Sequence, residues 1–290
     1  MRLRPRQGRR ARLAAQYVLQ WGTHDGQEMT MTDPDEADLS PEEILREAET
    51  AFSKAARLFA TGHQEKSIIA FTEALELYSQ VEGTERQQAD CLNNAGVAFN
   101  VLGGHDEALD AYEVALDFYR ELPATKQQQA DCLNCIGTVL RRTESDKEAV
   151  AAYRQALDLY RDLPGTEQKQ ASCLKDTGRV LRRMGHHNEA LVACREALGL
   201  YQHLPGTERD QAECLNGTGI ALYALGRYEQ TVTAYRQALD LYRDLPGSER
   251  DRAACSYNIS TALHKTGRHE EALAFYQQAQ EVYPQPDGGR

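Results

Sequence analysis

Of the side chains in this 290-residue chain that could do chemistry, the seven cysteines come first, because Cys91, Cys132, Cys173, Cys214 and Cys255 recur every 41 residues. A disulfide needs Cα atoms within about 7 Å. Equivalent cysteines on stacked helices about 8 to 10 Å apart lie beyond that reach. Cys132 and Cys135 form a CxxC pair, but in mid-helix, away from the helix N-terminus that lowers a thiol pKa in redox motifs. The cysteines therefore read as small buried residues of a reducing compartment, and the expected location is cytoplasmic. His186 and His187 are neighbours in a turn and point apart, so no metal site is expected of them. No GxSxG, GxxxxGKS/T, HExxH or glycine-rich strand-to-helix turn occurs, so no enzyme activity and no cofactor is expected.

Two other groups suit recognition. Asparagines recur at Asn93, Asn94, Asn134, Asn216 and Asn258, and a carboxamide can donate to and accept from an extended peptide backbone at once. Arg141, Arg142, Lys175, Arg179, Arg182 and Arg183 concentrate positive charge in a chain whose net charge is −11. Both groups have a plain structural reading as well: amides can satisfy neighbouring backbone, and cations are favoured at helix C-termini by the macrodipole. The dipole would act equally on the flanking repeats, which instead hold Asn100 and Val101, then Tyr223 and Ala224. Tyr223 and His264 complete the candidate partner-binding set.

The elements that must position these residues follow from one period. Tyr78, Tyr119, Tyr160, Tyr201, Tyr242 and Tyr283 keep the same 41-residue interval as the cysteines. A constant period of this size means one supersecondary unit stacked repeatedly, each copy burying a face that it could not bury alone. In the copy at 84–123, Cys91, Leu92, Ala95, Gly96, Phe99 and Leu102 follow the i, i+3, i+4, i+7 rule of a buried helical stripe. Ala108, Leu109, Tyr112, Ala115, Leu116 and Tyr119 follow it in a second helix. Gly103 and Gly104 supply the turn, and Pro123, Pro164, Pro205 and Pro246 close the units. Thr84, Thr125, Thr166, Thr207 and Ser248 stand where a hydroxyl caps the next helix by accepting from its free amides, with Gln87 and Gln128 completing two capping boxes. No run alternates with period two. The expected class is all-α, an α-α superhelix, with helix-to-helix turns near residues 62, 103, 144, 185, 226 and 267.

The pattern of Ala95, Gly96, Phe99, Ala108, Tyr112 and Ala115, repeated at Gly137, Gly178 and Gly219, Ala149 and Ala190, and Tyr153 and Tyr235, resembles tetratricopeptide repeats. The resemblance covers roughly residues 45 to 283 and is closest to the long-repeat, kinesin-light-chain-like and bacterial branch, since the standard repeat is about 34 residues. It implies a solenoid of six helix-turn-helix units, near 41–82, 83–123, 124–164, 165–205, 206–246 and 247–283. The first helix of each unit would line a concave groove, and that groove would bind another protein or peptide. Departures from the repeat are expected to be structural: Ala55 for the glycine and Ser67 for the alanine in the first unit, Ser260 for the glycine in the last, Cys194 for tyrosine, Thr231 for alanine, and Glu144 for the turn glycine.

The termini differ in composition. Residues 1–24 hold six arginines and no acid, and residues 33–43 are acidic. Residues 1–40 are expected to form a disordered or leader segment, with a translation start at Met29 or Met31 as one reading. A targeting sequence or partner-binding helix presenting Leu13, Tyr17 and Trp21 is the other. Without residues 1–28 the charge is −15, which argues against general nucleic-acid binding. No apolar run approaches the roughly 20 residues of a membrane span. Residues 284–290 read as a tail after a last unit without a polar cap, leaving the stripe of residues 272–283 open to self-association. The expected function is a scaffold that binds an extended or acidic segment of a partner in its groove. The alternatives are a regulatory or sensor subunit that holds an enzyme, and a self-assembling structural solenoid.

Overall fold

The computed structural model describes residues 39–282. The expectations placed on the basic leader, including Leu13, Tyr17 and Trp21, and on Tyr283 and the tail, lie outside the described residues.

Twelve helices and no strand make up the described residues. They form two compact units, one ending at Ser145 and one beginning at Asp146. The first holds α1 (Pro41–Ala60), α2 (Gln64–Ser79), α3 (Glu85–Leu102), α4 (His105–Glu121) and α5 (Lys126–Arg142). The second holds α6 (Asp146–Arg161), α7 (Glu167–Arg183), α8 (His187–Tyr201), α9 (Glu208–Ala224), α10 (Tyr228–Arg243), α11 (Glu249–Lys265) and α12 (His269–Val282). Within each unit every helix packs on the next in sequence, and α3 also touches α5, as α7 touches α9. From α3 onward, helices of the same rank begin 41 residues apart, and the turns between paired helices fall where the sequence predicts them.

The period survives because the same contacts recur. Small residues let helices approach: Gly96 and Gly219 face Tyr112 and Tyr235 so closely that an added Cβ would lie 2.8 Å from a ring carbon. The repeated tyrosines Tyr119, Tyr160, Tyr201 and Tyr242 are buried, as are the repeated cysteines. Their backbone carbonyls receive the cap residues, in a direction opposite to the expected one. Thr207 Oγ1 donates to Tyr201 O at 2.7 Å and to Leu204 O at 2.9 Å, and Gln211 Nε2 donates back to that hydroxyl at 3.1 Å. Thr84, Thr125 and Thr166 make the same bonds, with Gln88, Gln129 and Gln170 as their donors. The hydroxyls thus close the turn behind them rather than cap the helix ahead, and Gln87 and Gln128 complete no capping box. One reciprocal box does occur, at the start of α1, where Ser40 and Glu43 bond each other's backbone amides.

One further expectation is corrected by burial. Leu102, assigned to the buried stripe of α3, is 40% exposed, because it ends the helix beyond the reach of α4. Ser67, expected to be a structural departure, is fully buried and its hydroxyl donates to Ala55 O at 2.9 Å across the first helix pair.

Candidate partner-binding face

The candidate residues lie on the first helix of each pair: Asn93 and Asn94 on α3, and Asn134, Arg141 and Arg142 on α5, all in the first unit. In the second unit, Lys175, Arg179, Arg182 and Arg183 lie on α7, Asn216 and Tyr223 on α9, and Asn258 and His264 on α11. On an isolated helix pair the stripe opposite the core would be open to solvent. Instead Asn93, Asn94, Asn134, Arg141, Lys175, Arg182, Asn216, Tyr223 and Asn258 are only half-exposed, because each first helix is flanked on more than one side by neighbouring helices.

The amides divide by what they bond. Asn94 Nδ2 donates to Asp90 O at 2.7 Å on its own helix. Asp90 in turn accepts from the Tyr119 hydroxyl at 2.6 Å. Asn216 and Asn258 make no hydrogen bond among the described residues, and neither does the enclosed Asn93 Oδ1. Half-buried carboxamides ordinarily have partners. The structural reading, in which the amides satisfy local backbone, therefore holds for Asn94 but not for Asn216 or Asn258.

The cations divide in the same way. Lys175 Nζ donates to Asp210 at 2.5 Å and to Glu213 at 2.9 Å. Burial works against its charge, but the two carboxylates outweigh it and hold its pKa above the ordinary lysine value. Arg183 pairs with Asp146, and that hydrogen bond lowers the Asp146 pKa below the usual carboxylate range. Arg142 Nη1 donates to Asn100 O and Oδ1 at 3.2 and 3.1 Å. Arg179 lies 3.8 Å from both Asp176 and Glu213. Of the six cations, Lys175, Arg179 and Arg183 are thus paired with acids on α6, α7 and α9, and Arg142 is bonded to Asn100.

Arg182 differs. Half-buried in the second unit, it makes no hydrogen bond or ion pair among the described residues, and burial presses its pKa below the ordinary guanidinium value.

The remaining candidates are aromatic or thiol. The Tyr223 ring stands edge-on to Tyr228, centroids 5.4 Å apart, and His264 Nδ1 lies 3.1 Å from His269 Nδ1. The cysteines are free thiols, all buried except the half-buried Cys135. Burial pushes Cys214 and Cys255 up to about 12 and raises Cys91, Cys132 and Cys194 as well. Such thiols remain protonated and unreactive near neutral pH. Sequence reasoning missed Gly217, whose lack of a side chain matters to Arg182. The signal was available, since the equivalent positions are Asn94, Cys135, Asp176 and Asn258.

The family model for the tetratricopeptide repeat matches residues 46–121, 128–203, 178–244 and 210–285. Among solved structures, the apo form of RapI superposes with a TM-score of 0.65 at 13% identity, covering 81% of this chain and 97% of that one. BtubC (BKLC) from P. vanneervenii gives 0.61 at 17% identity, covering 87% and 96%. YrrB, described as a TPR protein with an unusual peptide-binding site, gives 0.55 at 20% identity, covering 74% and 93%. At these identities the likeness is one of fold. No curated protein matches the chain.

Proposed function

Because the chain belongs to the tetratricopeptide repeat family, we propose that it is a non-enzymatic interaction scaffold, holding an extended or acidic segment of a partner protein against the first helices of its repeats. The observation that carries this reading is the pair of half-buried amides on α9 and α11, Asn216 and Asn258, whose hydrogen-bonding groups are unused by the protein itself. A carboxamide offers one acceptor and two donor hydrogens, which matches the alternating carbonyl and amide of an extended backbone. Tyr223 lies between them in sequence and supplies an amphipathic ring of the kind enriched in interfaces. YrrB, with its unusual peptide-binding site, is consistent with this use of the fold.

Affinity purification with the full chain as bait, followed by mass spectrometry, tests the reading against the double variant Asn216→Ala, Asn258→Ala. Loss of a specific co-purifying protein from the double variant, with helicity unchanged, is the expected result. An identical set of proteins on both baits would overturn it.

A second reading, self-association, has its own observation. Leu273 and Tyr276 on α12 are 57% and 42% exposed, and Tyr257 beside them is 54% exposed. Contiguous exposed apolar side chains mark contact surfaces. Light scattering across a concentration series separates the two: a mass that rises with concentration and is restored to that of one chain by Leu273→Asp favours self-association, whereas a constant mass removes it.

A further inference from the structure

Where Tyr112 of α4 approaches α5, its hydroxyl is hydrogen-bonded to the Cys135 side chain. The corresponding pair two repeats further along, in the second unit, is Cys194 on α8 and Gly217 on α9, so both facing side chains are cut back at once. The phenol ring is gone, and so is the side chain it would meet. An added Cβ at Gly217 would lie 3.0 Å from Cys194 Sγ and 3.4 Å from Arg182 Nη1. The guanidinium of Arg182 therefore reaches from α7 into the space opened by the double deletion.

A cation taken partly out of water ordinarily brings a carboxylate with it. Arg182 does not. Glu213, the acid on the facing helix, is held by Lys175 and Arg179, and Arg179 adds a like charge beside Arg182. The Tyr235 hydroxyl on α10 is close enough to feel the guanidinium but accepts no hydrogen bond from it. The fork of donors is thus positioned, partly desolvated and unspent, which is the condition under which a planar oxyanion gains most from bidentate bonding.

We propose that Arg182, set in the recess left by Cys194 and Gly217, is the carboxylate-binding subsite of this protein. It would fix one carboxylate of the bound partner segment and so set its register. The proposal rests on the reading of the first-helix faces as the partner-binding surface, and narrows a cluster of six candidate cations to one.

The carboxylate could be an acidic side chain or a chain terminus, and probes separate the two. Full-length protein labelled with 15N at arginine is titrated with acetyl-Glu-Glu-Glu-amide, with acetyl-Ala-Ala-Ala carrying a free C-terminus, and with acetyl-Gln-Gln-Gln-amide as the neutral control. The Arg182 Nε–Hε resonance is assigned by its absence from Arg182→Lys. A saturable shift with at least one carboxylate probe and none with the control is expected, and the probe that acts identifies the source. Cys194→Tyr and Gly217→Asn, which return the residues of other repeats and leave Arg182 in place, should each weaken that response at least tenfold. Having two such variants guards against one that fails to fold. If no carboxylate probe shifts the resonance, if the glutamine control shifts it equally, or if both filled-in variants respond like the parent, the subsite is refuted. Should that happen while partner capture still depends on Asn216 and Asn258, only the subsite falls; loss of the asparagine dependence is instead the failure of the broader reading.

Discussion

Glu144 occupies the turn between α5 and α6 with φ 61°, where the equivalent residues Gly62, Gly103, Gly185, Gly226 and Gly267 have φ between 72° and 88°. Glutamate is thus held in the left-handed region, at a cost of roughly 1–2 kcal/mol for a residue with a Cβ. Glu144→Gly removes that strain but gives the unfolded chain more freedom, worth roughly 0.5–1 kcal/mol. The net expectation is stabilisation by about 0.5–1 kcal/mol. Gly185→Ala is the reverse experiment at the equivalent position. Nothing lies within 4 Å of the Cβ it would add, so packing is not perturbed and the backbone alone decides. It should destabilise by about 1 kcal/mol. Glu144→Ala keeps the strain while removing the charge, and as an exposed change should fall within about 0.5 kcal/mol of the parent. Urea denaturation followed by circular dichroism at 222 nm reads all three. If Glu144→Gly and Gly185→Ala shift the midpoint in the same direction, or if Glu144→Ala stabilises as much as Glu144→Gly, the turn conformation is not the cause.

The Thr125 hydroxyl donates to the Tyr119 and Leu122 carbonyls and accepts from Gln129. Thr125→Val keeps the shape but removes all three bonds of the hydroxyl, leaving Gln129 Nε2 only its bond to Tyr119 O, and should cost about 1–3 kcal/mol in the same urea assay. Gln87→Ala and Gln128→Ala, which break no capping box, should be close to neutral. With Ellman's reagent at pH 8, Cys135 should label first in the native protein and the six buried thiols only on unfolding, since burial holds Cys214 and Cys255 at about 12; rapid labelling of most thiols in the folded chain would contradict this. The Arg183 pair depresses the Asp146 pKa, so its stabilisation is present above the ordinary aspartate pKa of 3.8 and is lost as pH falls through the lower folded value. Asp146→Asn should therefore lower the midpoint at pH 7 but have no effect at a pH below both values, as measured by urea melts at each pH.

Much of the fold was legible because the period was. A residue that recurs every 41 positions, such as Cys91 or Tyr119, must meet the same environment in each copy, and the turn positions followed from Gly103 and its equivalents. Polar direction was not legible in the same way. Thr84 looks like a helix cap in sequence, but whether its hydroxyl accepts from the amides ahead or donates to Tyr78 O behind depends on how the chain folds back at the turn.

The candidate site shows the same division. Sequence alone established which residues lie on the first helices, since 3.6 residues per turn decides which positions share a face. It also marked the repeats that depart from the pattern, at Cys194 and Glu144. Which of those residues remain unspent was decided only by tertiary structure. Lys175 and Arg182 are two turns apart on one helix and look alike in sequence. Lys175 is neutralised by Asp210 and Glu213, 35 and 38 residues away, whereas Arg182 enters a space opened by the loss of two side chains on two other helices. Pairing is a property of distances between helices, and a single chain's linear order carries those distances only where the repeat is regular.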